Sequence, residues 1–133
     1  MTVMDLSGWD DDGAGTRVGV DLVEISRIAR AYERWGERFL TRVYSPTEQA
    51  DSRGRVSSLA ARFAAKEAAA KALGTGIGPI GWLDVEVLVG ERGRPLLRLR
   101  GPAAEIARQL GLRRAAVSLS DTREHALAVV VLT

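Results

Sequence analysis

From Ser57 to Leu73 the sequence runs SSLAARFAAKEAAAKAL, with no Gly or Pro, and stops at Gly74. Alanine is the strongest helix former, and a glycine just past the last turn is a common way to end a helix. The stretch therefore predicts a long helix. A chain of 133 residues has room for one compact domain with a single core, so such a helix should be its central element. Gly74-Thr75-Gly76-Ile77-Gly78-Pro79 then predicts a flexible connector.

On the N-terminal side, residues 1–16, MTVMDLSGWDDDGAGT, mix small and acidic residues without period and read as a loose leader, with Trp9 its one large aromatic. The domain is expected to span 17–133. RVGVDLV predicts a strand that ends near Asp21 and Leu22. The period then becomes helical: Ile25, Ile28, Ala29, Tyr32 and Trp35 form an apolar stripe expected to face the core, while Arg27, Arg30 and Arg34 line another side. Ser45-Pro46-Thr47-Glu48 has the form of a capping box with Pro at the first helical position.

After the long helix, Leu83–Val89 and Leu96–Arg100 alternate around Gly90-Glu91-Arg92-Gly93-Arg94-Pro95, the pattern of a hairpin with a longer turn. A short helix over Pro102–Leu110 and strands over Ala115–Ser120 and Ala126–Leu132 complete the chain. The expected class is α+β, with a mostly antiparallel sheet packed on a long central helix.

The absence of Cys excludes thiolate catalysis, disulfides and Cys-based metal sites, and His125 is the only histidine, so any metal must be held mainly by oxygen. The net charge of +2 is uneven: Asp5, Asp10, Asp11 and Asp12 fall in the leader, leaving 19 basic against 13 acidic side chains elsewhere. The folded part is expected to favour an anionic ligand or partner. No apolar run would span a bilayer and the leader has the wrong sign for a signal peptide, so the expectation is a cytoplasmic protein with no membrane partner.

Glu67 and Lys71 lie four apart and share a helix face. Together with Asp21 at a strand end they could serve an Mg2+ ion, which takes one or two carboxylates plus substrate phosphates. The residues by themselves equally allow an ordinary Glu–Lys pair and a helix-capping Asp.

VGVDLVEISRI, RFAAKEAAAKALGTGIG, GRPLLRL and VSLSDTREHALAVVVL resemble the ordered blocks of 4'-phosphopantetheinyl transferases of the holo-acyl-carrier-protein synthase type. The resemblance covers nearly everything from Arg17 to Leu132. It implies that fold as a homotrimer with sites between subunits. The activity it implies is Mg2+-dependent transfer of 4'-phosphopantetheine from coenzyme A to a serine of apo-acyl carrier protein, releasing adenosine 3',5'-bisphosphate, in fatty acid or polyketide synthesis. By resemblance Asp21 and Glu67 are the metal ligands and catalytic carboxylates, and Lys71 contacts the pyrophosphate. Arg62 matches a nucleotide-phosphate contact, whereas Lys66 is left between a ligand contact and a solvated neighbour. Gly74 and Gly76 match the turn by which backbone approaches the ligand, although Gly74 is equally explained as a helix cap. Gly93, Arg94 and Pro95 match a turn near the adenine of a neighbouring subunit's ligand. Arg27, Arg30 and Arg34 become the docking row for an acidic carrier, with Arg27 and Arg34 the better matches.

The match departs from the family at Asp121, where many relatives carry His. Asp121 or Thr122 is therefore the expected contact to the ribose or adenine side, and His125 is expected to be a packed or half-exposed strand residue and not a catalyst. A catalytically inactive carrier-binding subunit of the same fold is the competing reading. Nucleic-acid binding finds no RNA-binding signature to support it.

Overall fold

The computed structural model describes residues 15–133, so the leader expected over 1–16 lies almost wholly outside the described residues. The element order is β1 (Arg17–Glu24), α1 (Ile25–Trp35), α2 (Glu37–Val43), α3 (Pro46–Ser52), α4 (Val56–Leu73), β2 (Val85–Val89), β3 (Pro95–Leu99), α5 (Gly101–Gln109), β4 (Ala115–Asp121) and β5 (His125–Leu132). The strands form two antiparallel sheets, β1-β5-β4 and the hairpin β2-β3.

The Ala-rich stretch is the central helix α4, which ends as expected with Gly74 in the left-handed region at φ 81°. Its alanines are the point of contact: Ala60, Ala64, Ala65, Ala68, Ala69, Ala70 and Ala72 are all buried, as are Ala126 and Ala128 on β5. Small side chains on both layers let the helix lie close to the sheet. The approach is tightest at Gly19, where a Cβ would stand 1.8 Å from the carbonyl oxygen of Ala68 and 2.9 Å from the backbone nitrogen of Ala72. No side chain fits there, because the colliding atoms are helix backbone and cannot swing aside.

The strand β1 does not end near Asp21. Its pairing with β5 continues through Glu24 opposite His125, which places Asp21 mid-strand opposite Ala128. Alternation puts Gly19, Asp21 and Val23 on the α4 face and leaves Val18, Val20 and Leu22 on the other face, 61%, 52% and 62% exposed. The capping box at Ser45 forms in both directions, the Glu48 N–H donating to Ser45 Oγ and the Ser45 N–H to Glu48 Oε1. The helix α2 carried no expectation from the sequence. No helix among the described residues is long and apolar enough to cross a membrane.

Gly19→Ala should lower stability by about 3 kcal/mol or prevent folding, because overpacking against fixed backbone lies at the severe end of such changes. A urea midpoint equal to that of the wild type would mean that the close helix–strand contact is not kept in solution.

Candidate active site

Two residues beyond the Gly19 contact, the inner face of β1 presents Asp21 to the last turns of α4. Lys71 Nζ donates to Asp21 Oδ1 at 2.9 Å and to the Val20 carbonyl at 3.1 Å. The i,i+4 pair with Glu67 is not what Lys71 forms; its ion pair is with the strand. Glu67, one turn earlier on α4, is half-buried, and no donor among the described residues hydrogen-bonds to it.

Burial raises the Glu67 pKa above its ordinary value, the negative charge of Asp21 raises it further, and Lys71 and Arg27 oppose the shift. Asp21, Lys71 and Arg27 are thus the charges that act on Glu67. Two partly buried carboxylates repel each other here with only one oxygen, Asp21 Oδ1, bonded to a described cation. Their all-oxygen character and unpartnered oxygens fit a hard divalent cation. Among the described residues no cluster of three or more His, Asp or Glu side chains forms a ready-made cage, and Mg2+ characteristically makes do with one or two carboxylates plus phosphate and water.

Arg27 lies over the Phe63 ring at 5.5 Å and Arg34 over the Trp35 ring at 4.9 Å, while Arg30 is exposed on the same helix. Trp35, expected in the core stripe, is 51% exposed. It helps line a pocket with Arg38, Phe39, Arg42, Phe63 and Trp82, because α2 turns away at Gly36, φ 53°, and leaves the end of α1 uncovered.

Lys66 is no solvated neighbour. It is fully buried and bonded at 2.8 Å to Glu48, itself fully buried. The local pattern hid this, because the partner comes from α3 and the remaining acceptors from the segment before and within β2. Arg62 is also buried, bonded through Nη1 to Ser58, and its Nε has no partner.

Gly74 and Gly76, φ 81° and 66°, follow α4 directly, and at both the left-handed backbone favours glycine. Arg94 and Pro95 stand where the hairpin enters β3 and bond to neither carboxylate. Asp121 is exposed at the end of β4, on the α4 face of the sheet but two strands from β1, roughly 10 Å aside. Thr122 builds the turn: its Oγ1 accepts from the N–H groups of Glu124 and His125. His125 is half-buried opposite Glu24, on the face turned away from α4. One chain thus assembles Asp21, Glu67, Lys71 and Arg27, and leaves Arg94, Pro95, Asp121 and Thr122 outside that cluster.

The family model described as the 4'-phosphopantetheinyl transferase superfamily matches residues 17–130. The chain belongs to this superfamily. Among curated members, a holo-[acyl-carrier-protein] synthase of Herpetosiphon aurantiacus is 50% identical over 120 residues, covering 85% of this chain and 94% of the relative. One from Chloroflexus aurantiacus is 51% identical over 129 residues, with the same coverage. Of solved superfamily structures, the Helicobacter pylori holo-[acyl-carrier-protein] synthase in complex with coenzyme A superposes with a TM-score of 0.80 at 34% identity, over 87% of this chain and 99% of that one. The family match begins at Arg17, so residues 1–16 lie outside it.

Glu67→Gln removes a carboxylate whose ionisation is disfavoured in the folded state. The raised folded pKa means that the wild type loses stability as pH climbs from the ordinary glutamate value of 4.5 through the higher folded value. With a chelator present, the variant should therefore gain in Tm relative to wild type between pH 4 and pH 7. A Tm difference that stays constant over that range would mean that burial and Asp21 do not raise the Glu67 pKa in the folded state.

Proposed function

We propose that this protein is a holo-[acyl-carrier-protein] synthase, transferring 4'-phosphopantetheine from coenzyme A to a serine of an apo-acyl carrier protein. The observation that carries the reading is the convergence of Asp21, Glu67 and Lys71 at the β1–α4 contact in a chain about half identical to proteins of that name.

Asp21 and Glu67 would hold Mg2+. When bound, that ion neutralises pyrophosphate oxygens and favours departure of adenosine 3',5'-bisphosphate. Lys71, more than half exposed yet anchored on Asp21 and the Val20 carbonyl, offers its ammonium to the same oxygens. The serine Oγ attacks the β-phosphorus, the bond from that phosphorus to the bridging oxygen of the α-phosphate breaks, and the serine proton needs an acceptor. Glu67, directly or through a water held by the ion, is our candidate, since Asp21 is already committed to Lys71 by its Oδ1 whereas no described donor bonds Glu67. Arg62, buried and with an unpartnered Nε, is the candidate for a nucleotide phosphate. Gly74 and Gly76 would let backbone approach the ligand.

The carrier site is proposed along α1. Arg27, Arg30 and Arg34 present guanidinium groups suited to an acidic helix. Next to them lies the pocket of Trp35, Phe39, Phe63 and Trp82 rimmed by Arg38 and Arg42, which suits an apolar side chain among acidic ones.

Trimerisation is proposed on the exposed face of the β1-β5-β4 sheet. There Val18, Val20 and Leu22 lie beside Val131, Val129 and Leu127 of β5, a contiguous apolar patch of the kind that marks association surfaces. In such an assembly Arg94, Pro95, Asp121 and Thr122, which lie outside the single-chain cluster, would serve a neighbouring subunit's ligand.

Incubation with coenzyme A, Mg2+ and apo-carrier proteins of fatty-acid and polyketide type should yield, by mass spectrometry, a carrier bearing the phosphopantetheine arm. Asp21→Ala and Glu67→Ala should each abolish it in a folded protein. Absence of the product with every carrier would favour a non-catalytic carrier-binding subunit. Replacing Arg27 and Arg34 together by Glu should raise the carrier KM at least tenfold and the coenzyme A KM less than twofold; equal effects would remove the docking row. Val20→Lys should turn the trimer into monomers in sedimentation equilibrium, and an unchanged mass would rule out this sheet face as the interface.

A further inference from the structure

The two sheets of the fold share no backbone hydrogen bonds, and besides the core packing of Val85 and Val87 and the stacking of Trp82 on Phe63, a pair of side chains hydrogen-bonds the hairpin to α4. Lys66 Nζ donates to the carbonyl oxygens of Val85, the first residue of β2, and of Trp82, just before it, the latter at 3.0 Å. Glu48 Oε2 accepts from the Val87 N–H at 3.1 Å, and its Oε1 accepts from Lys66 at 2.8 Å and from the Ser45 N–H at 3.0 Å. The Val85 carbonyl and the Val87 N–H are two residues apart on the edge of β2 not paired with β3. Both residues are buried, so no solvent reaches that edge. The ion pair supplies the bonds a neighbouring strand would have made, and both of its members have 0% exposure.

The location of this clamp matters because Lys66 immediately precedes Glu67. Successive helical residues point about 100° apart, so holding Lys66 on β2 fixes the direction of Glu67. The helix has other ties, Lys71 to Asp21 and the Val20 carbonyl and Phe63 stacked on Trp82, but each sits a turn away from Glu67. The sheet-facing side of α4 is Ala64, Ala68 and Ala72, whose methyl groups offer shallow relief against rotation.

We propose that the buried Lys66–Glu48 pair is the positioning device of the active site, locking α4 at the rotation that aims Glu67 toward Asp21. Lys66 and Glu48 touch no reacting atom; they act through Glu67. The inference rests on the function proposed above, in which Glu67 is a metal ligand. A pair that served stability alone could be replaced by neutral groups of similar size with little consequence, whereas groups that orient a metal ligand alter affinity by about 10–100-fold when changed.

The test is the double variant Glu48→Gln with Lys66→Met in the full chain. Mn2+ binding in the presence of coenzyme A is read by electron paramagnetic resonance, together with circular dichroism and transfer kinetics. The expected result is a folded protein that binds Mn2+ about tenfold more weakly, with kcat reduced by a similar factor and the carrier KM unchanged within twofold. A folded double variant with wild-type Mn2+ affinity overturns the proposal. Should the double variant not fold, Glu48→Asp keeps the charge but withdraws the carboxylate by one methylene; it should weaken Mn2+ binding severalfold with its fold intact, and wild-type affinity there overturns the proposal equally. A wild type that neither binds Mn2+ with coenzyme A nor transfers the arm overturns the assigned function and this inference with it. A wild type that does both, beside a variant that binds equally well, overturns the inference alone.

Discussion

Everything in this fold is arranged around how closely β1 can approach α4. At Gly19 the strand backbone lies against the backbone of Ala68 and Ala72, with no room for even a methyl group. This contact sets the thickness of the layer, and thickness decides chemistry. A wider spacing would carry the short Asp21 side chain out of reach of Lys71, which it now meets at 2.9 Å. The alanines of α4 and of β5 serve the same end, since larger residues on either layer would lift the helix from the sheet.

Close packing by small residues has a weakness, which the polar interior compensates. Smooth helix surfaces slide and rotate more readily than surfaces with interlocking side chains. The fold places around α4 groups with directional demands: the Glu48–Lys66 pair, the Tyr44 hydroxyl donating to the Leu59 carbonyl at 2.8 Å, and Phe63 stacked on Trp82 with ring centroids 4.7 Å apart. Each ties α4 to a different element. Burying two opposite charges is costly unless every remaining hydrogen-bonding position is used, and here the capping box and the free edge of β2 use them.

Much of this was legible in the residues. The length and stop of α4, the capping box, the hairpin and the final two strands follow from local rules that depend on neighbours within one helical turn or two strand positions. The carboxylate pair was legible only through the ordered blocks around it, because neither Asp21 nor Glu67 is distinctive by itself. Features set by distant contacts could not be read locally. Lys66 resembles any lysine on a helix until α3 and β2 are folded against it. Trp35 keeps the spacing of a core stripe that the turn at Gly36 leaves uncovered. Asp21 looked like the end of a strand because pairing beyond it depends on β5, more than 100 residues later in the chain.

The alternation of β1 has a consequence for how this chain can change over time. Its odd positions, Gly19, Asp21 and Val23, face α4 and carry the close contact and the carboxylate, while its even positions, Val18, Val20 and Leu22, form the bare apolar face. Inserting or deleting a single residue would exchange the two sets, placing valine against helix backbone and aspartate among aliphatic neighbours. Exchanges of one aliphatic residue for another on the outer face keep it apolar and can accumulate one at a time, but the length of this segment cannot drift. The strand is therefore expected to vary in composition among descendants of this gene while keeping its residue count.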